Sequence, residues 1–185
     1  MRACEKTMTE FVSPYKRGAD KGLYFGIWLT VMFFAVIFSV NVEILSFVAM
    51  LMFVATPVIV YRWLRQTYVA ENGATPLSGL WMQGIMIFAC GSLINALVAT
   101  VYLKWVDPGY VMERINDAIA IYSAIDDPTA REAAELMTRM VEAHAVPSIP
   151  AIAVEMVWIA IFIGSVLSLF LSLLARARKV KSQNN

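Results

Sequence analysis

Charged positions divide this chain into long apolar blocks. Lys21 and Glu43 bracket 21 uncharged residues, Glu43 and Arg62 bracket 18, Glu71 and Lys104 bracket 32, and Glu155 and Arg176 bracket 20. Within the third block the apolar part is Gly79–Leu103. A helix needs about 20 apolar residues to cross the hydrocarbon core of a bilayer. The pattern predicts four transmembrane helices, over 22–40, 43–61, 80–103 and 153–175. No block alternates with period two in ten-residue segments, which excludes a transmembrane β-barrel. The first block starts too late and runs too long for a cleaved signal, and it has no A-x-A exit. Asn41-Val42-Glu43 leaves room only for a tight turn between the first two spans. Pro57 inside the second span predicts a kink and a freed carbonyl near Phe53, which neighbouring helices can re-satisfy.

Residues 104–152 are the one sizeable polar segment. Asp107-Pro108 and Asp127-Pro128 each place an N-cap residue before a proline suited to the first helical position. A helix is predicted over 108–124, with Val111, Ile115, Ala118, Ile119 and Tyr122 on one face. A second is predicted over 128–144, with a face of Ala130, Ala133, Ala134, Met137, Met140 and Val141. Pro147 and Pro150 then end it and open the fourth span. The expected fold is all-α: a four-helix transmembrane bundle with a short extracytoplasmic two-helix hairpin between spans three and four. The expected organisation is a tail over 1–21, spans one to three over 22–103, the hairpin over 104–152, span four over 153–175 and a basic tail over 176–185.

Composition supports the membrane assignment. The 185 residues are 59% hydrophobic and 16% charged, with a mean hydropathy of +0.65. Soluble domains are roughly 45–50% apolar and about 25% charged, and disordered chains are more polar still. A net charge of +1 with no basic stripe argues against a nucleic-acid partner. The distribution of that charge is more informative than its sum. Eleven Lys and Arg lie in the N-terminal tail, the loop after span two and the C-terminal tail, against four in 104–152. The positive-inside rule places both termini in the cytoplasm, with the polar segment outside. That segment holds eight acids against four bases, a net of −4. Tyr24, Tyr61, Trp63 and Trp81 fall at the cytoplasmic level and Tyr102, Trp105 and Trp158 at the outer level, where amphipathic rings anchor helices.

Candidate chemistry is sparse. Cys4 and Cys90 make no metal-ligand spacing and read as free thiols. Ser13 and Lys16 match a bare S-x-x-K, without the partner motifs of that enzyme class. There is no P-loop, GxGxxG or G-x-S-x-G. No cofactor or metal is expected. His144, the sole histidine, ends the second polar helix, where a cation is favoured by the helix dipole. Glu43, Lys104, His144 and Glu155 are the candidates for an outer polar cluster. Asn95 lies inside span three, where an amide can bond across helices. Ala160, Gly164, Ser168 and Ser172 repeat at intervals of four in span four, and Gly22-xxx-Gly26 opens span one. Such residues let helix backbones approach closely, for packing within a bundle or for docking a partner helix. The N-terminal 21 residues, with five bases plus Phe11 and Tyr15, fit a short interfacial helix.

Three places carry a family resemblance: Lys16 to Gly26 (KRGADKGLYFG), Leu77 to Pro108 with its closing Tyr102-Leu103-Lys104-Trp105-Val106-Asp107-Pro108, and the short basic end after span four. Together they resemble a family of small four-helix membrane proteins of Bacteroidetes-type bacteria, known as domain of unknown function four-one-nine-nine. The resemblance covers nearly the whole chain. It implies the same four-span fold and, through the neighbourhood of its relatives, a membrane glycosyltransferase acting on a polyprenyl-phosphate carrier as partner.

The expected role is therefore that of a non-enzymatic inner-membrane partner or scaffold subunit, in contact with membrane lipids and with either such a glycosyltransferase or further copies of itself. The alternative is a small lipid or solute carrier with a midplane site near Asn95. A lipid-metabolising enzyme ranks third and would need Glu43, Lys104, His144 and Glu155 to converge.

Overall fold

Local capping decides where each helix begins and ends. A computed structural model of the chain describes residues 13–177. The first helix, α1 (Pro14–Phe38), starts at a proline whose fixed φ suits the first helical position. Ser13 is its N-cap: the Tyr15 N–H donates to Ser13 Oγ at 3.4 Å. The S-x-x-K pattern is thus a helix start, and α1 begins at 14 rather than 22. Tyr15, Lys16 and Arg17, expected in a separate interfacial helix, belong to this same helix. Arg2, Lys6, Cys4 and Phe11 of the tail, and Arg178, Lys179 and Lys181 at the other end, lie outside the described residues.

The second helix, α2 (Glu43–Ala70), passes through Pro57 and continues well beyond the expected 61. Hydropathy marks the hydrocarbon-crossing part of a helix, whereas the backbone stops only at a stop signal. Here the signal is Asn72-Gly73, with φ of 52° and 81°. The Gly73 N–H donates to Tyr68 O at 2.9 Å and the Asn72 N–H to Val69 O at 3.0 Å. That pair of bonds is a Schellman C-cap.

The third helix, α3 (Leu77–Val101), runs into a single wide π turn over Tyr102–Val106, where the Asp107 N–H donates to Tyr102 O at 3.0 Å. This corrects the expectation for Asp107. It closes the π turn instead of capping the next helix. Gly109 occupies the N-cap of α4 (Tyr110–Ala124), without a side-chain bond, so that helix starts at 110 rather than 108. Asp127 behaves as expected: its Oδ1 accepts from the Thr129 N–H at 3.3 Å, with Pro128 opening α5 (Pro128–Glu142). The last helix is α6 (Ile149–Ala177).

Four segments are long and apolar enough to cross a membrane: α1, α2, α3 with its π turn, and α6. All the regular elements among the described residues are helical. The chain divides into two compact units, one of residues up to Asn95 together with those from Met156 onward, the other of residues 96–155. In the second unit α4 and α5 contact each other, with Ala130 and Ala134 buried. In the first unit α1, α2, α3 and α6 share one core of Phe25, Val60, Leu64, Ile87, Phe88, Leu171 and Ala175. Phe25 meets the Phe88 ring edge-on at 5.0 Å and the Trp63 ring at 6.5 Å.

Candidate functional site

The first unit is held by seams of small residues and a few buried polar bonds. Gly18, Gly22 and Gly26 repeat at intervals of four on α1 and face Met86, Cys90 and Ile94 of α3. A Cβ added at Gly22 would stand 2.6 Å from the Cys90 Cβ, and one at Gly26 2.8 Å from the Ile94 Cβ. On the other side of α3, Gly84 abuts Ser168 of α6, and Gly164 of α6 abuts the Phe88 ring. Gly22, Gly26, Gly164 and Ser168 are therefore occupied by the chain's own helices. Ser172 is fully buried one turn beyond Ser168, and Ala160 is half-buried. Neither Ser168 Oγ nor Ser172 Oγ has a hydrogen-bond partner.

Beside this seam lies the most deeply buried amide. Gln83, 1% exposed, donates through Nε2 to Thr67 Oγ1 at 3.0 Å, and Thr67 donates onward to Trp63 O at 3.2 Å. Arg65 Nη1 donates to Ala175 O at 2.7 Å, tying α2 to the last turn of α6. Trp81 Nε1 donates to Ser165 O at 3.0 Å, tying α3 to α6. Farther along the bundle Trp28 Nε1 donates to Thr56 Oγ1 at 3.2 Å. Trp63 and Trp81, expected as interfacial anchors, thus have bonding or packing work inside the bundle, and Lys21 Nζ lies 5.9 Å from the Trp63 ring centre.

Just beyond the helix ends, Arg17 and Thr75 both donate to the carboxylate of Glu71. This clasp joins the first turn of α1 to the loop between α2 and α3. The Thr75 hydroxyl, and then the Arg17 hydrogen bond and charge, hold the Glu71 carboxyl below the ordinary carboxylate range against the opposing effect of burial.

The remaining sequence candidates are placed as follows. Asn95 is half-buried, and its Oδ1 is shielded from solvent without a hydrogen-bond partner. Glu43 is exposed in the first turn of α2, where a carboxylate complements the helix dipole. In the second unit, Lys104, His144 and Glu155 are exposed. Lys104 Nζ sits 5.6 Å from the Trp105 ring centre. His144 has a φ of 51°. Its N–H donates to Val141 O at 3.1 Å and the Ala145 N–H to Met140 O at 2.9 Å, so its backbone forms the left-handed C-cap of α5. None of these four makes an ion pair among the described residues, where the pairs are Arg17–Glu71, Arg114–Asp117, Arg131–Asp126 and Arg139–Glu135. Among the same residues no group of three or more His, Cys, Asp and Glu is placed to hold a metal ion.

Sequence reasoning singled out Asn95 and passed over Gln83, Thr67 and the Arg17–Glu71–Thr75 clasp. A signal was there. Thr67 and Gln83 are equidistant from Thr75, and a short connection between antiparallel helices brings such positions to one level.

A family model described as "Protein of unknown function (DUF4199)" matches residues 21–177. No curated protein and no solved structure matches the chain.

Proposed function

The chain belongs to the DUF4199 family of proteins of unknown function, and from that premise we propose that it is a non-enzymatic partner subunit of a membrane assembly. One observation carries the reading. The small-residue seams that could have docked a foreign helix are filled by the chain's own α1, α3 and α6. Recognition then falls to the helical pair α4–α5, which forms part of a separate unit and has a charged, exposed surface. The segment 104–152 has a net charge of −4 and suits a basic partner surface. The bias of Lys and Arg towards the other loops supports an inner-membrane orientation with both termini cytoplasmic and α4–α5 outside. By family resemblance the partner is a membrane glycosyltransferase using a polyprenyl-phosphate carrier; a further copy of this chain is the alternative partner.

The test is a pull-down of the tagged full chain in mild detergent, with and without Glu132→Lys and Glu135→Lys together. A stoichiometric glycosyltransferase that is lost with the double variant supports the proposal. Recovery of the chain alone, or an enzyme equally retained by the variant, rejects it. A second reading, a carrier of a lipid or small solute, is favoured by Asn95, whose buried Oδ1 lacks a protein partner. Asn95→Leu would then abolish transport in proteoliposomes while leaving the fold and any pull-down unchanged.

A further inference from the structure

The two broad sides of the α4–α5 pair differ in kind. On one side, Ser123 of α4 and Arg131, Glu135, Thr138, Arg139 and Glu142 of α5 line a polar hollow of about 450 Å³. Each residue of an α-helix is turned about 100° from the last, so positions two before and two after a given residue lie on its opposite side. Ile121 precedes Ser123 by two and Ile125 follows it by two, and Leu136 and Met140 stand in the same relation to Thr138. The side away from the hollow therefore carries these four apolar residues. All four are exposed, Ile121 at 62% and Leu136 at 54%. Tyr110 and Arg114 extend the stripe on α4 back to its first turns, with the guanidinium 5.4 Å from the ring centre.

The tethers of the pair select what covers this side. The third membrane-crossing candidate ends at Val106, and α4 begins at Tyr110. The residues between, 107–109, reach about 10 Å at full extension. At the other end residues 143–148 join α5 to α6, the next membrane-crossing candidate. Lys104 and the exposed Trp105 are residue types of the headgroup level. Both ends of the helix pair are thus tied to the bilayer surface. An amphipathic helix of low net hydrophobicity held there lies in the plane of the interface, apolar side down. Standing upright, α4 would instead carry Ile121 and Ile125, at its far end, roughly 20 Å into water. Charge narrows the surface further. With eight acids against four bases, 104–152 gains nothing from anionic lipid, so apolar burial has to drive the contact.

We propose that α4–α5 is an interfacial helix pair. Its side of Ile121, Ile125, Leu136 and Met140 is seated among the zwitterionic headgroups and upper acyl carbons of the leaflet, and the polar hollow faces water. The inference rests on the four long helices being membrane spans. It goes beyond the partner reading above and leaves the charged side of the pair open to that partner.

Spin-label accessibility tests it on the full chain, with Cys4→Ser and Cys90→Ala, reconstituted at high dilution in phosphatidylcholine bilayers without any enzyme. Single labels are carried by Ile121→Cys, Leu136→Cys and, on the side of the hollow, Glu135→Cys. The ratio of oxygen to nickel-reagent accessibility should be about tenfold higher at the first two than at the third. Ile121→Glu with Met140→Glu should lift the pair and bring the ratio at Leu136→Cys within about twofold of that at Glu135→Cys, with helix content unchanged by circular dichroism. Equal ratios at all three positions mean a pair standing free in water and overturn the proposal. Protection of Leu136→Cys from both reagents means a protein cover, such as a second copy, and overturns it too, as does an unchanged ratio in the double glutamate variant. No enzyme is present, so failure here leaves the partner reading standing, and failure of the pull-down leaves this result standing.

Discussion

Where α1 meets α3, the contact is made through Gly18, Gly22 and Gly26, and the polar groups of the bundle, Gln83, Thr67, Ser168 and Ser172, lie inside it. In α5 the buried positions are Ala130 and Ala134, while Glu132, Glu135 and Arg139 are exposed. The first unit keeps several polar side chains inward and turns many large apolar ones, such as Phe53, Phe162 and Phe170, outward around its core. In the second unit charged side chains such as Glu132 and Arg139 are exposed, and so are Ile121, Leu136 and Met140. In hydrocarbon, burying a leucine against another helix gains little over leaving it in lipid, so close backbone approach and interhelical hydrogen bonds hold spans together. In water, apolar burial drives packing, and two alanines supply little of it. The first unit is therefore intolerant of added volume at its seams, and the second is the place where local opening should be easiest.

The strongest way to break the comparison is to add volume in both units. Gly164→Leu drives a side chain into the Phe88 ring and should destabilise the bundle by about 3 kcal/mol or more. Ala134→Leu should cost only about 1 kcal/mol, because the helix pair can separate locally. Thermal unfolding in detergent, followed by size-exclusion of the surviving fraction, measures both; equal losses would show that the seams are not distinct. Next in size is Gln83→Ala. It removes the bond to Thr67 and leaves a void beside Gly84, and should cost about 2 kcal/mol in the same assay.

The clasp offers a smaller, pH-dependent effect. A carboxyl whose folded pKa is lowered stabilises the fold above its unfolded pKa, and that contribution disappears as pH falls through the folded value. Acidification below the ordinary carboxylate range should release Glu71 from Thr75 and Arg17, and Glu71→Gln should remove the pH dependence at a cost of about 1 kcal/mol at neutral pH. Thermal midpoints across an acid series read this directly. The smallest effect has the opposite sign. His144→Gly relieves a non-glycine residue from a left-handed φ and should stabilise α5 by about 0.5–1 kcal/mol, measured as slower amide exchange there. A destabilised α5 would mean that the imidazole itself is needed.

The four spans were legible in the sequence because charge is so costly in hydrocarbon that its spacing marks the membrane. Helix ends were less legible. The extension of α2 to Ala70 depends on a stop signal at Asn72-Gly73, outside the apolar block that identified the span. Asp107 and Asp127 share an Asp-Pro step, yet only Asp127 caps a helix, because the π turn before Asp107 alters the backbone that reaches it. The small residues of span four were visible as a stripe, but their partners, Gly84 and Phe88, become apparent only when α3 is set beside α6. Gln83 escaped notice because it lies near the start of its span, where an amide is expected to reach water, and its burial comes from neighbours on other helices.

The glycine seam also governs the order in which the chain can be assembled during synthesis. The first two spans can insert as a hairpin, but the narrow face of α1 has its mate on α3, so it stays lined with lipid until the third span arrives. The Gly84 notch on α3 waits longer still, because Ser168 follows α4 and α5 in the chain. Until then the nascent bundle has three walls. The fourth wall is α6, whose Gly164 and Ser168 meet Phe88 and Gly84 of α3.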